Sequence, residues 1–436
     1  MSAFDRLERR WPQGRWARNL PLAAATGAVT GLAVAGFEAV VNRAMLEHVL
    51  ELPTPMLAVL PAAGLVVAWL VLRTLGRGAG PATSDEYIIA FHDPDKTFEP
   101  RRETAKVAAA GATLGSGGAM GFEGPSIYLG AVMGQWIQQR FHRLFGDADR
   151  RVLMVAGAAA GVAAIFKAPA TGAVFAIEVP YREDVAQRTI LPALVASATS
   201  YLVYVAIYGT TPILEGHGHV DLEARTILAS LAVGVCAGLG ARAFVHLLRF
   251  AKRARDGLAP APRLLLGGVG IAVLVLVGSL AFDADLLVGP GYNTIDWASH
   301  ADRAAGLVLL LFVLRALATS LTVEGGGAGG LFIPLVVLGS LLGAFLGDVT
   351  GVENASLLTL VGAAAFLGAG YRTPIAAVIF ITEATASPGF VVPGLLATVL
   401  AQLLIGPESV SEYQRSTRAP TVEELEPPDT DGDGKI

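Results

Sequence analysis

Hydrophobic runs dominate this chain, and several are long. Leu264 to Phe282 carries no charged side chain, and Phe390 to Leu404 is a second run of the same kind. A helix needs about 20 apolar residues to cross a hydrocarbon core of about 30 Å, so these runs predict membrane-spanning helices. The polar connections differ in charge. Residues 249–263, RFAKRARDGLAPAPR, hold five basic side chains and one acid. Residues 209–223, GTTPILEGHGHVDLE, and 283–302, DADLLVGPGYNTIDWASHAD, hold no lysine or arginine. Basic residues close to spans stay on the cytoplasmic side, so 249–263 is predicted inside and the other two outside. The apolar segments 224–248 and 264–282 then cross in opposite directions.

Composition agrees with a bilayer solvent: 53% of the 436 residues are hydrophobic and 16% charged. The net charge of −5 suggests no nucleic-acid partner. The N-terminal MSAFDRLERRWPQGRWARN has five arginines and no apolar core with a cleavage site, so residues 1–19 read as an amphipathic cytoplasmic segment. The single cysteine, Cys236, excludes a disulfide framework or a thiolate metal site and reads as a small buried hydrophobe.

An internal repeat organises the chain. GFEGPSIYLGAVMG (121–134) matches GLFIPLVVLGSLLG (330–343) in the frame P-x3-L-G-x3-G, and KAPATGAVFAIE (167–178) matches RTPIAAVIFITE (372–383) in the frame P-x5-F-x2-E. Pro125 and Pro334 lie 209 residues apart, Pro169 and Pro374 lie 205 apart, and both matches run in the same order. The predicted divisions are a first membrane repeat over 20–208, an extracytoplasmic connection over 209–223 and a second repeat over 224–415. An acidic, disordered tail is predicted over 416–436. Asp429, Asp431 and Asp433 in that tail imitate the start of a calcium loop, whose closing glutamate is absent. Duplicated halves with broken helices place ion sites near the membrane midplane.

Two loops carry the chemistry. GATLGSGGAMGFEGPSIYLG (111–130) packs seven glycines around Glu123, with Pro125 where a helix should begin. VEGGGAGGLFIP (323–334) is its counterpart. Glycine-rich backbone entering a helix directs unpaired N–H groups and the positive end of the dipole at one spot, which binds anions reversibly. Glu123 is an ionisable residue at membrane depth and therefore functional by default. As a carboxylate it competes with an anion for those N–H groups; protonated, it is neutral and can swing away. Packing glycine is the bland alternative for either loop alone.

These residues resemble the CLC chloride channel and transporter family: GFEGP at 121–125 is similar to its G-[KR]-E-G-P motif, and GGLFIP at 329–334 to its G-x-F-x-P motif. The resemblance implies an all-α polytopic fold of two inverted-topology repeats of tilted and broken helices, in a homodimer with one pore per subunit. It implies that Glu123 is the gate, flanked by Phe122 and Gly124, and that the backbone N–H groups of Leu331 and Phe332 hold chloride. It places the protein in the cell's inner membrane with both termini in the cytoplasm.

Three departures from the family pattern bear on function. GPATSDE at 80–86 stands where the family has G-[SP]-G-x-P-E, so Pro81 takes the position that tunes anion choice and Ala82 that of the second glycine. Proline there resembles nitrate-preferring relatives, although Thr83 or Ser84 could offer a hydroxyl; an ordinary helix cap is the alternative role for either. Val179 occupies the position where exchangers generally carry a proton-receiving glutamate, which favours a passive channel over proton-coupled exchange of chloride or nitrate. Glu178 and Glu324 are the proton-relay candidates if protons do cross, with a structural role favoured for Glu178 and its equivalent Glu383. At the end of the chain's last helix, ESVSEYQ offers Ser411, and Tyr413 beyond it, where the family often has an ion-contacting tyrosine.

Arg315 interrupts an apolar run and is expected to reach an interface. His92, His217 and His219 lie in polar connections, without the further ligands a metal needs. No cofactor is expected. A membrane-embedded enzyme using Glu123 would need a nucleophile or metal cluster that the sequence does not offer, and a cation or neutral-solute carrier of another duplicated fold is the third possibility.

Overall fold

The computed structural model describes residues 13–93, 95–141, 151–214, 223–299, 303–351 and 355–417. The first twelve residues, the histidines at 217 and 219 and the aspartates of the tail lie outside them. The described residues form sixteen α-helices of eight residues or more. Backbone pairing of the strand type is confined to two isolated bridges, Gly121 with Gly330 and Tyr181 with Arg415.

In the first half, α1 (Gln13–Glu38) continues through a π-helical stretch, Ala39–Leu46, and a last α turn to Leu50. Then follow α2 (Thr54–Thr74), α3 (Ser84–His92), α4 (Pro100–Gly115), α5 (Glu123–Arg140), α6 (Val152–Ile165), α7 (Pro169–Glu178) and α8 (Ile190–Tyr208). The second half comprises α9 (Ala224–Gly257), α10 (Pro260–Phe282), α11 (Tyr292–Ser299), α12 (Ala305–Glu324), α13 (Phe332–Thr350), α14 (Ala355–Tyr371), α15 (Pro374–Thr385) and α16 (Val391–Ile405). Among the described residues, eight helical segments are long and apolar enough to span a bilayer. Others, such as α3, α7 and α15, are too short to cross, so their ends lie inside the protein. Proline sits in the first turn of α4, α7, α10 and α15, where its missing N–H costs no hydrogen bond.

Equivalent elements in the halves pack in the same way. A Cβ on Gly130 would lie 2.0 Å from the Gly157 carbonyl oxygen, and one on Gly339 would lie 2.2 Å from that of Gly362. The helix pairs α5–α6 and α13–α14 thus approach through glycine, the small-residue contact that holds helices together in lipid. Reciprocal caps join the halves. Glu178 at the end of α7 accepts the N–H groups of Ile375 and Ala376 at 3.2 and 2.9 Å. Glu383 in α15 accepts those of Ala170 and Thr171 at 2.9 and 2.7 Å, and the Thr171 hydroxyl at 2.6 Å. Each acid satisfies orphan donors at the start of the other half's short helix. Lys167 and Arg372, each two residues before such a helix, both adopt left-handed backbone with φ of 50° and 57°. Such reciprocity is what two inverted halves produce about a shared axis.

One expectation is met and three are revised. Residues 264–282 and 390–404 lie within α10 and the Pro388–Ile405 segment, as their apolar runs predicted. Cys236 is only partly buried, packed against the core from α9. His92 Nε2–H donates to the Pro180 carbonyl oxygen at 2.7 Å, and the ring packs on Phe91 and Tyr181, so it is a satisfied packing residue. Arg315 does not reach an interface: it is 1% exposed. Its guanidinium donates to the carbonyls of Leu286, Gly289 and Pro290 at 3.3, 3.1 and 2.6 Å. The turn 286–291 has more carbonyls than local donors, and the planar fork of arginine supplies the missing ones.

Candidate functional site

Two helices begin at one point in the interior, α5 at Glu123 and α13 at Phe332. The loops before them meet at the Gly121–Gly330 bridge, in which each N–H donates to the other's carbonyl at 2.9 and 2.8 Å. These two residues are 209 apart, so the halves touch at equivalent positions. Gly117 and Gly326, also 209 apart, take φ of 93° and 88°, a region that glycine enters without strain. Side chains are excluded at the bridge: a Cβ on Gly330 would lie 2.0 Å from Glu123 Oε1, and one on Gly121 would lie 1.9 Å from Oε2.

Neither helix start has a side-chain cap from its own N-cap residue, Phe122 or Leu331. The Glu123 carboxylate fills that role for the opposite half. It is fully buried, and its Oε1 accepts the Phe332 N–H at 2.6 Å. Among the described residues, Oε2 has no hydrogen-bond partner. The first half's carboxylate therefore occupies the positive end of the second half's helix, the position an anion would take. Phe332, itself fully buried, is locked by the rings of Phe166, Phe175 and Phe380 at 4.7, 5.2 and 4.8 Å.

Two cavities flank this point. One, of about 470 Å³, is lined deeper in by Pro81, Ala82, Thr83, Ser84, Met120, Leu331 and Tyr371 and at its mouth by Arg249, Lys252, Arg253 and Arg255, which outnumber the acids Asp85, Asp256 and Glu412. The other, of about 190 Å³, is lined by Phe122, Tyr292, Tyr204 and Tyr208 and by Glu38, Arg43 and Lys167. Tyr208 ends α8 and the basic mouth lies at the far end of α9, a helix of 34 residues and so about 50 Å long. The segment from 209 to 223 joins α8 to the near end of α9, so the two cavities open on opposite faces. Glu123 lies between them.

The residues singled out in the sequence fall unevenly around this axis. Pro81, Ala82, Thr83 and Leu331 line the larger cavity, Phe122 lines the smaller, and Gly124 sits where a Cβ would meet Thr83 Oγ1 at 2.5 Å. Thr83 precedes α3 but makes no cap; its hydroxyl donates across the halves to the Gly329 carbonyl at 3.2 Å. Ser411 is buried and does not line the larger cavity; its Oγ accepts the Tyr413 N–H at 3.4 Å. The stretch from 406 to 417, which follows the last helix and carries Ser411, is not helical. Tyr413 is 50% exposed, at the mouth. Val179 is buried, and Glu178 serves as the cap described above. Glu324 closes α12, is 6% exposed, and among the described residues neither carboxylate oxygen has a hydrogen-bond partner.

Two contributors escaped sequence reading. Tyr371, at the end of α14, points its hydroxyl into the larger cavity within hydrogen-bonding reach of the Ser84 hydroxyl and the Leu331 N–H. Lys106 of α4 is 3% exposed and donates to the Ala82 carbonyl at 3.1 Å and to Glu86 at 2.6 Å, which fixes the loop that carries Thr83. A lysine at the edge of the small-residue run 107–115 of α4 was the available signal for the second; the first is an aromatic in an apolar run and gives none.

Comparison with known proteins agrees with this geometry. The family described as voltage gated chloride channel matches residues 63–406. The H(+)/Cl(−) exchange transporter ClcA of Salmonella typhi is 27% identical over 415 residues, covering 88% of this chain and 85% of its own. ClcA of Salmonella paratyphi A is equally similar. Among solved structures, a slow cyanobacterial Cl−/H+ antiporter superposes with a TM-score of 0.78 at 22% identity, covering 89% of this chain and 94% of that one. A CLC-type fluoride/proton antiporter superposes with a TM-score of 0.78 at 24% identity, over 92% and 98% of the two chains. With two interlocked inverted halves, a carboxylate seated on a helix start and a family match over most of its length, this multi-span membrane protein belongs to the voltage-gated chloride channel (CLC) family.

Proposed function

We propose that the protein exchanges chloride for protons across the cell's inner membrane, as a homodimer in which each subunit carries its own pathway. The observation that carries this reading is the Glu123 carboxylate bound to the Phe332 N–H between cavities on opposite faces. An anion and this carboxylate compete for one set of donors, and only a protonated, neutral side chain leaves willingly. Chloride entry and protonation of Glu123 are therefore linked. The basic mouth formed by the end of α9 faces the cytoplasm by the charge rule, and the cavity beside Tyr208 faces outward.

Val179 argues for a passive channel, because valine carries no proton. Two observations favour exchange over that expectation. The relatives at 27% identity are named H(+)/Cl(−) exchangers. Glu324, whose buried oxygens have no partner among the described residues, is an alternative acid on the basic-mouth side: its neighbours Val323 and Gly327 line that cavity, and Arg263 is the cation in electrostatic reach of it. Glu178 is held by two backbone N–H groups and is less free to accept a proton. Anion transport, with no chemical transformation of a substrate, accounts for every part of the site.

In sealed vesicles containing the purified protein, an imposed chloride gradient should drive protons uphill. Chloride flux with no proton movement would establish the channel instead. Glu324→Gln should slow proton transport by about tenfold or more while leaving the chloride pathway open; equal proton rates in parent and variant would remove Glu324 from the route. For the anion itself, Tyr371→Phe deletes one hydroxyl donor at the deep end of the larger cavity. Chloride affinity, read by calorimetric titration of purified protein, should fall by about tenfold, the worth of one hydrogen bond to a charged group. An unchanged affinity would show that this hydroxyl points elsewhere when the ion is bound.

A further inference from the structure

The competition at Glu123 makes no use of the charges in the smaller cavity. Phe122 forms part of its wall, in the position where the family motif has a basic residue, and packs edge-on against Phe37 at 6.1 Å. That wall is therefore apolar beside the gate, and the cations enter from elsewhere. The π-helical stretch Ala39–Leu46 carries Arg43 to the cavity, and π-helical segments within α-helices commonly mark functional sites. The Arg43 guanidinium stacks 4.1 Å above the Tyr208 ring, whose hydroxyl is anchored on the Ala35 carbonyl at 2.8 Å. Lys167, in its left-handed backbone conformation, donates to the carbonyls of Tyr208 and Thr211 at 3.4 and 3.1 Å. Both cations are thus positioned by a ring and by carbonyls rather than by a carboxylate. Glu38, the acid lining the cavity, is engaged by the Asn42 amide at 2.8 Å and lies within electrostatic reach of both cations. Glu47, the other acid in reach of Glu38, does not line the cavity.

We infer that Arg43 and Lys167 form an outer docking site for one small inorganic anion, in which an incoming ion waits beside the gate, and that Glu38 sets a ceiling on its affinity. The lining charges sum to +1, enough to concentrate a monovalent anion yet not to trap it. A cavity of about 190 Å³ accommodates a halide with part of its water shell. This inference rests on the reading of Glu123 as an anion gate and adds to it a capture step on the outer face.

The test is electrical, with the full chain in a cell membrane and bath chloride varied. Arg43→Gln and Lys167→Gln should each raise the external chloride concentration that gives half-maximal current by about three- to tenfold, and Glu38→Gln should lower it by a similar factor. Arg43→Lys should restore the parent value, and the dependence on internal chloride should not move in any variant. Opposite shifts from neighbours in one cavity are not produced by general damage to the fold. Equal external dependence in all variants, or a shift of the same sign for Glu38→Gln and Arg43→Gln, would overturn the docking site. A parent without anion current would count against the gate reading alone. The docking site is then decided by equilibrium dialysis of the purified protein with radiolabelled chloride: loss of one bound ion per subunit in the Arg43→Gln, Lys167→Gln double variant supports it, and unchanged binding overturns it.

Discussion

Replacing Glu123 with alanine should leave a chloride conductor that no longer moves protons and whose rate is flat from about pH 4 to pH 8, the range in which a carboxyl of ordinary or burial-raised affinity titrates. In the parent, the carboxylate holds the Phe332 N–H at 2.6 Å and must be displaced or neutralised before an anion binds there. The sign follows directly. Lowering the pH protonates Glu123, removes the competitor, and raises chloride flux; alanine supplies the open state at every pH. At neutral pH the variant should therefore conduct at least as fast as the parent does in acid. Glu123→Gln should behave in the same way, because a neutral amide cannot titrate. Parallel recordings of chloride efflux and proton uptake in vesicles read both quantities. A variant that still pumped protons against a gradient, or whose flux kept the parent's pH profile, would place the gate at another residue.

Arg315→Leu is expected to have the largest effect on stability. Its guanidinium donates to three carbonyls of the turn over 286–291, and among the described residues no carboxylate shares it. Leucine keeps the volume and strands all three acceptors in the interior, a loss of about 3–5 kcal/mol. Melting in detergent should fall by about 6 °C or more, taking about 2 °C for each kcal/mol in a large domain. Trp297, which packs on Phe282 at 5.6 Å, reports on this region through its fluorescence. Arg315→Lys should rescue little, since an ammonium cannot span three acceptors in one plane. The turn also touches the gate loop, through the Gly289 N–H donating to the Gly117 carbonyl at 2.8 Å, so chloride flux should drop with stability. A Leu variant that melts with the parent would show that those carbonyls find other donors.

The parts legible in the sequence share a physical origin. Spanning helices announce themselves because lipid admits only apolar runs. The repeat is visible because close backbone approach demands glycine, and the same approach occurs twice, at Gly130–Gly157 and at Gly339–Gly362. Glu123 stands out because a charge at depth has few structural uses. What could not be read depends on tertiary assembly. Thr83 was a candidate ion-contacting hydroxyl with a helix cap as its alternative role, yet its hydroxyl donates to a carbonyl 246 residues away. Tyr371 reaches the larger cavity from the end of a helix whose sequence is otherwise featureless. Ser411 lies in the non-helical stretch after α16, whose path no periodicity reveals. The direction of Arg315 depended on a turn whose unpaired carbonyls no local pattern reveals.

The crossed caps bear on how the protein is made. Glu178 finds its donors on Ile375 and Ala376, and the first of these lies 197 residues further along the chain. At about 5–20 residues per second, the ribosome delivers that partner about 10–40 s after Glu178 has been synthesised. During this interval the first half is in or at the bilayer with an acid whose only protein ligands do not yet exist. It must keep that side chain protonated or held at the headgroups until the second half arrives, so the first half alone should be a target for membrane proteases and a poor candidate for separate expression.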